Sequence, residues 1–218
     1  MGNITRIGPY ETSPIFGYSV GYRDDRNTKD IESLLGSKDH TLFAKLLGQL
    51  NKTFQSSLSF NILDSGCGYG YTLKSLADIA ASKNIHIHTT GITMQKDHEV
   101  ASKWVDTLIL GSLQNAYSKN LLTSNSFHFI IDICGPAFFF PLENNEERGQ
   151  ILSIYSNILA KKGLLLLYLL QLNPDNVMLK SRGITFANDI HAKTITMLEE
   201  NGFKVVFNKK EFALVERK

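Results

Sequence analysis

The sequence predicts an α/β fold, with a mostly parallel sheet and helices on both faces, and three observations predict it. From Phe60 onward, short β-type runs alternate with segments whose apolar residues recur at helical spacing. One run, Leu164 to Leu170, is apolar throughout, as a central strand covered on both faces must be. The last two runs, Phe203 to Phe207 and Phe212 to Val215, flank a Lys209-Lys210 turn too short for a crossover, so they form an antiparallel hairpin at the sheet edge.

The elements follow in order. The stretch to about Lys38 is aromatic and polar (Tyr10, Phe16, Tyr18, Tyr22) and has no clear period. Phe43, Leu46, Leu47, Leu50 and Phe54 mark an amphipathic helix. Phe60 to Leu63 is a buried strand, and Leu73, Leu76, Ala77 and Ala80 form the stripe of the next helix. Strands follow at Ile85 to Ile92, Thr107 to Leu110 and Phe127 to Ile133, with helices at Gln95 to Trp104 and around Gln114 to Leu122. Ile151, Ile154, Tyr155 and Ile158 lie on a helix that Lys162-Gly163 stops, because glycine takes the left-handed cap at low cost. Ile190, Thr194, Met197 and Leu198 lie on the last helix, ended by Asn201-Gly202. This alternation implies right-handed βαβ units.

Composition narrows the function classes. The 218 residues suit one domain with a real core; 43% are hydrophobic, 20% are charged, and the net charge is +2. The basic residues are scattered, so no phosphate-tracking stripe points to nucleic acid. Cys67 and Cys134 have neither disulfide-framework nor metal-ligand spacing, and no metal site is expected. No signal sequence or spanning segment is visible, which implies a cytoplasmic protein. The sequons at Asn3 and Asn51 then carry no meaning, and Arg6 stands where a myristoylation motif needs Ser or Thr.

The most specific stretch runs from strand through turn to helix: Phe60-Asn61-Ile62-Leu63-Asp64-Ser65-Gly66-Cys67-Gly68-Tyr69-Gly70. Ligands in open α/β sheets bind outside the carboxyl ends of the strands, and glycine lets them approach the backbone closely. A dinucleotide fingerprint read from Gly66 fails at Tyr71, where its third glycine belongs. Asp64, just before the turn, suits a ligand that carries an ammonium group and no pyrophosphate.

An acidic residue followed by G-x-G-x-G after the first strand resembles the class I, Rossmann-like S-adenosylmethionine-dependent methyltransferases. The resemblance covers Phe60 to the C-terminus. It implies a three-layer sandwich with a seven-stranded sheet in the order 3-2-1-4-5-7-6, last strand antiparallel. Residues 59–218 would form that core, and residues 1–58 an N-terminal helical lid segment of the same domain. It further implies S-adenosylmethionine as cofactor and S-adenosylhomocysteine as product. Asp64, Gly66, Cys67, Gly68 and Gly70 would seat the methionine part. Thr93 and Met94, Ser112 and Leu113, and Asp132 would complete the cofactor site.

The chain departs from the family at two acids. Thr93 stands where a ribose-binding acid is usual, and Ser112 is the side-chain acceptor offered near the adenine. A hydroxyl can still bond a ribose hydroxyl, though not as a charged bidentate acceptor. Gly91-Ile92-Thr93-Met94-Gln95-Lys96-Asp97-His98 locally resembles a stretch of the cyclopropane fatty acid synthase and sterol C-methyltransferase branch, with Gln95 for Ser and His98 for Gln. After the fourth strand, Asp132 is the best candidate for a base or an orienting group, against a loop-capping carboxylate. Phe138, Phe139 and Phe140 are core or an apolar acceptor pocket. Cys67 and Cys134 are expected in one pocket region as small fillers. Tyr18, Tyr22 and Arg23 would face the sulfonium and the methionine carboxylate.

The expected function is methyl transfer to a small-molecule or lipid-like acceptor. The alternative is an inactive cofactor-binding or partner protein of the same fold. A nicotinamide-dependent oxidoreductase is disfavoured by Tyr71 and the terminal hairpin.

Overall fold

The sheet is laid down by alternation along each strand. In a computed structural model, residues 2–8, 26–55, 59–94, 96–133, 135–137, 145–169, 189–209 and 211–218 are described. Tyr10, Phe16, Tyr18, Tyr22, Arg23, Gln95, Cys134 and Phe138, Phe139 and Phe140 lie outside them, as do the side chains of His98 and His191. The elements are β1 (Asn3–Gly8), α1 (Thr28–Leu34), α2 (Leu42–Thr53), β2 (Phe60–Asp64), α3 (Tyr71–Ser82) and β3 (Ile87–Thr93). A 3-10 helix (Lys96–Lys103), β4 (Thr107–Gly111), α4 (Leu113–Ser118), β5 (Phe127–Asp132) and α5 (Asn145–Ile158) follow. The chain closes with β6 (Leu159–Tyr168), α6 (Asp189–Glu200), β7 (Phe203–Lys209) and β8 (Phe212–Arg217).

The strands order as β1-β4-β3-β2-β5-β6-β8-β7. Counted from β2 as the first strand and without β1, this is the expected 3-2-1-4-5-7-6. β8 runs antiparallel between β6 and β7, and the other described pairings are parallel. Successive side chains point to opposite faces. Phe129, Ile131, Leu164, Leu166, Phe212 and Leu214 therefore join the core under α1, α2 and α3. Ile130, Leu165, Leu167, Ala213 and Val215 join the opposite core, with Ile151 and Tyr155 of α5 and Leu198 of α6. The result is a three-layer sandwich.

Several local details differ from the sequence reading. β1 was not expected: it extends the sheet to eight strands, parallel to β4 at the edge. Its residues are exposed or half-buried, so no apolar alternation advertises it. Gly111 opposes its end; a Cβ there would lie 2.5 Å from Ile7 Cγ1. The helix expected from Gln95 to Trp104 is wound as a 3-10 helix from Lys96 to Lys103. α4 is shorter than expected, ending at Ser118.

Gly163 does not take the left-handed cap. α5 ends at Ile158, and the left-handed residue is Lys162, at φ +65°. The pairing with β5 advances from Phe127↔Leu159 to Phe129↔Leu164, so Ala160 to Gly163 bulge out of the ladder. Gly163 is needed for space instead: a Cβ would lie 2.8 Å from the Ala160 carbonyl oxygen. Where α1 begins, Asn27 and Asp30 form a capping box, with the Asn27 side chain accepting from Lys29 N (2.9 Å) and Asp30 N (3.2 Å). Among the described residues, no helix is long and apolar enough to cross a membrane.

Candidate functional site

Four strands end together at one edge. Asp64 closes β2, Thr93 closes β3, Gly111 closes β4 with Ser112 directly after it, and Asp132 closes β5. The register aligns them, with Asp64 opposite Gly91 and Ile131, and Thr93 opposite Leu110. β2 connects onward to one side of the sheet and β5 to the other, so a crevice opens where the strand order reverses.

The glycine loop is stitched down on both sides of that crevice. Ser65 N donates to the Ile131 carbonyl and Cys67 N to the Ile92 carbonyl, each at 3.0 Å. Between these ties and α3 the backbone must reverse, and Gly68 (φ +51°) and Gly70 (φ +80°) are left-handed. Gly70 caps α3 with no side-chain hydrogen bond. Cys67 is buried, with its sulfur above Gly91. A Cβ on Gly91 would lie 2.7 Å from Sγ and 3.1 Å from the Cys67 Cβ. Gly91→Ala should therefore cost about 1–3 kcal/mol of stability in chemical denaturation. Adding Cys67→Ala should recover part of the loss, and a single variant that unfolds like the parent would refute this packing.

Asp64 is buried under the loop, with Oδ1 accepting from Gly66 N at 3.0 Å. Burial pushes its carboxyl up to about 6, opposed by the Gly66 N–H and the nearby Arg26 charge. Arg26 was not singled out from sequence. It is half-buried at the entry to α1, and its carbonyl accepts from Thr72 Oγ1 at 3.0 Å. Thr93 is buried at its strand end, while Gly66, Met94 and Ser112 are half-buried along the rim. Ser112 caps α4, its Oγ accepting from Asn115 N at 3.2 Å. One acceptor position on that oxygen remains. Leu113 is core.

Asp132 is fully buried, and both its oxygens are engaged. Oδ1 accepts from Gly135 N at 3.0 Å; Oδ2 accepts from Ala137 N at 2.8 Å and, in a short bond, from the Tyr155 hydroxyl. Burial pushes this carboxyl up to about 6 as well, against those donors. The bonds are those of a carboxylate that holds a loop, the alternative to a base weighed above. Tyr155 and Ser65 were missed as polar partners, since Tyr155 reads in sequence as one more residue of an apolar stripe. Among the described residues, no group of three or more His, Cys, Asp or Glu could hold a metal ion.

The arrangement offers a buried carboxylate and bare backbone at the end of β2 and hydroxyls at the ends of β3 and β4. No protein-family model matches the chain, and no curated protein sequence matches it. Solved structures do resemble it. A candidate S-adenosyl-L-methionine-dependent methyltransferase of Methanococcus maripaludis is 14% identical over 97% of each chain, with a TM-score of 0.52. A candidate class I S-adenosylmethionine-dependent methyltransferase of Listeria monocytogenes is 14% identical over 92% of this chain and 64% of its own, with a TM-score of 0.54. An aminoglycoside resistance methyltransferase is 11% identical over 80% of this chain and 93% of its own, with a TM-score of 0.53. At such identities the likeness speaks for the fold, and it agrees with the strand order and terminal hairpin described above: this chain has the fold of the class I S-adenosylmethionine-dependent methyltransferases.

Proposed function

We propose that this chain binds S-adenosylmethionine in the crevice above β2 and β3 and transfers its methyl group to a small-molecule or lipid-like acceptor. The observation that carries the reading is the pairing of the buried Asp64 carboxylate with the left-handed backbone of Gly68 and Gly70. When bound, the cofactor supplies a methyl group already activated on a sulfonium. The chain's own work is then alignment and removal of any acceptor proton. Asp64 takes the ammonium group. Gly66, Cys67, Gly68 and Gly70 supply close backbone, Thr93 and Met94 the ribose contacts, and Ser112 and Leu113 the adenine contacts. Asp132 shapes the acceptor side by holding Gly135 and Ala137.

Two neutral hydroxyls in place of the usual acids support the second reading, a cofactor-binding protein without turnover. Calorimetry with S-adenosylmethionine, S-adenosylhomocysteine and NAD tests the site, and the first two should bind while NAD does not. Formation of S-adenosylhomocysteine against a metabolite extract tests transfer. Binding without turnover favours the second reading, and NAD binding alone overturns both.

A further inference from the structure

Tyr155 is fully buried on the face of α5 that packs on the sheet, beside Ile151, Leu152 and Ile158. A phenylalanine would fill that space. The phenol oxygen instead lies where two loops meet. It donates to Asp132 Oδ2 and stands 2.7 Å from Ser65 Oγ. Ser65 belongs to the glycine loop, and its hydroxyl is also 3.2 Å from the Ile131 carbonyl. The hydroxyl has one proton to give, and the shorter contact places it on the phenol oxygen. The bonds then run in one direction, from Ser65 through Tyr155 to Asp132. Asp132 passes the restraint to Gly135 N and Ala137 N. The loops also touch directly: a Cβ on Gly135 would lie 2.7 Å from Ser65 Oγ and 2.8 Å from Asp132 Oδ1. Such a buried chain is stable only when every member has its partner.

We infer that Tyr155 is a positioning residue that couples the loop after β2 to the loop after β5, so that the two hold their arrangement together and loosen together. The coupling deepens the proposed function, because one loop seats the cofactor and the other shapes the acceptor side. It explains why a hydroxyl stands in an otherwise apolar stripe, and why both oxygens of Asp132 are spent on structure.

Tyr155→Phe tests it, with Ile151→Val as the control for lost packing on the same helix. Amide hydrogen exchange on the unliganded protein should quicken about tenfold at Gly66 to Gly70 and also at Gly135 and Ala137. The control should leave both within twofold. S-adenosylhomocysteine affinity at pH 8 should fall about tenfold in Tyr155→Phe only. Carbon NMR of the Asp132 carboxyl supplies a readout that packing alone does not move. Tyr155 and Asp64 face this carboxylate, and Arg26 stands by Asp64. The Tyr155 bond helps keep it ionised, so its titration should move to higher pH in Tyr155→Phe and stay in place in the control. Should Tyr155→Phe fail to fold, Ser65→Ala cuts the same chain from its other end and should quicken exchange at Ala137. Unchanged exchange in the glycine loop, or equal effects of variant and control, overturns the inference. If the parent binds no S-adenosylhomocysteine, the functional proposal fails, and the exchange and NMR results still decide the coupling.

Discussion

Asp64→Asn is expected to abolish S-adenosylmethionine binding while leaving the folded state at least as stable at pH 8. Asn keeps an Oδ1 to accept from Gly66 N, so the turn retains its bond. It loses the charge that faces the ligand's ammonium group. Burial raises the folded-state carboxyl from 3.8 to about 6. A raised carboxyl binds its proton more tightly in the folded state. Its favourable contribution is therefore complete below 3.8 and disappears as the pH rises through about 6. At pH 8 the parent thus carries an unrelieved buried charge, costing up to about 3 kcal/mol. Relief in the variant will be smaller by whatever Arg26 loses. Cofactor affinity in the parent should run the opposite way, falling as the pH drops through about 6 and Asp64 takes up its proton. Calorimetry and denaturation at pH 5 and pH 8 measure both. A variant that binds like the parent, or that loses more than about 1 kcal/mol of stability at pH 8, makes Asp64 a structural carboxylate only.

Gly68→Val should remove cofactor binding and lower stability by about 2 kcal/mol. Gly68 is buried and sits at φ +51°, where a β-branched residue is strained by about 1–3 kcal/mol. Its methyl groups would also stand on backbone proposed to lie against the ligand. Gly68→Ala separates the two effects. It keeps much of the conformational cost and adds little bulk, so it should be nearly as destabilised and retain part of the binding. Denaturation with calorimetry checks the pair. Parent-like affinity in Gly68→Val would move the site elsewhere in the crevice.

The fold was largely legible because its signals are local and repeated. The near-continuous buried runs of β5, β6 and β8, the helical stripes of α2 and α3, and the short turn between β7 and β8 each constrain the topology from a few neighbouring residues. Gly68 and Gly70 were legible as left-handed positions for the same reason, since a turn between a strand and a helix must find them within its own sequence.

β1 was not legible. Its ladder partner β4 lies about a hundred residues away, and its exposed edge demands no apolar pattern. The left-handed residue before the β6 ladder proved to be Lys162, because the β5 register fixes where the bulge falls. The alphabet of strands, helices and glycine turns thus came from short-range sterics and periodicity. The Ser65–Tyr155–Asp132 chain came from folding alone, because residues 90 and 23 positions apart share a hydrogen bond only once the layers have packed.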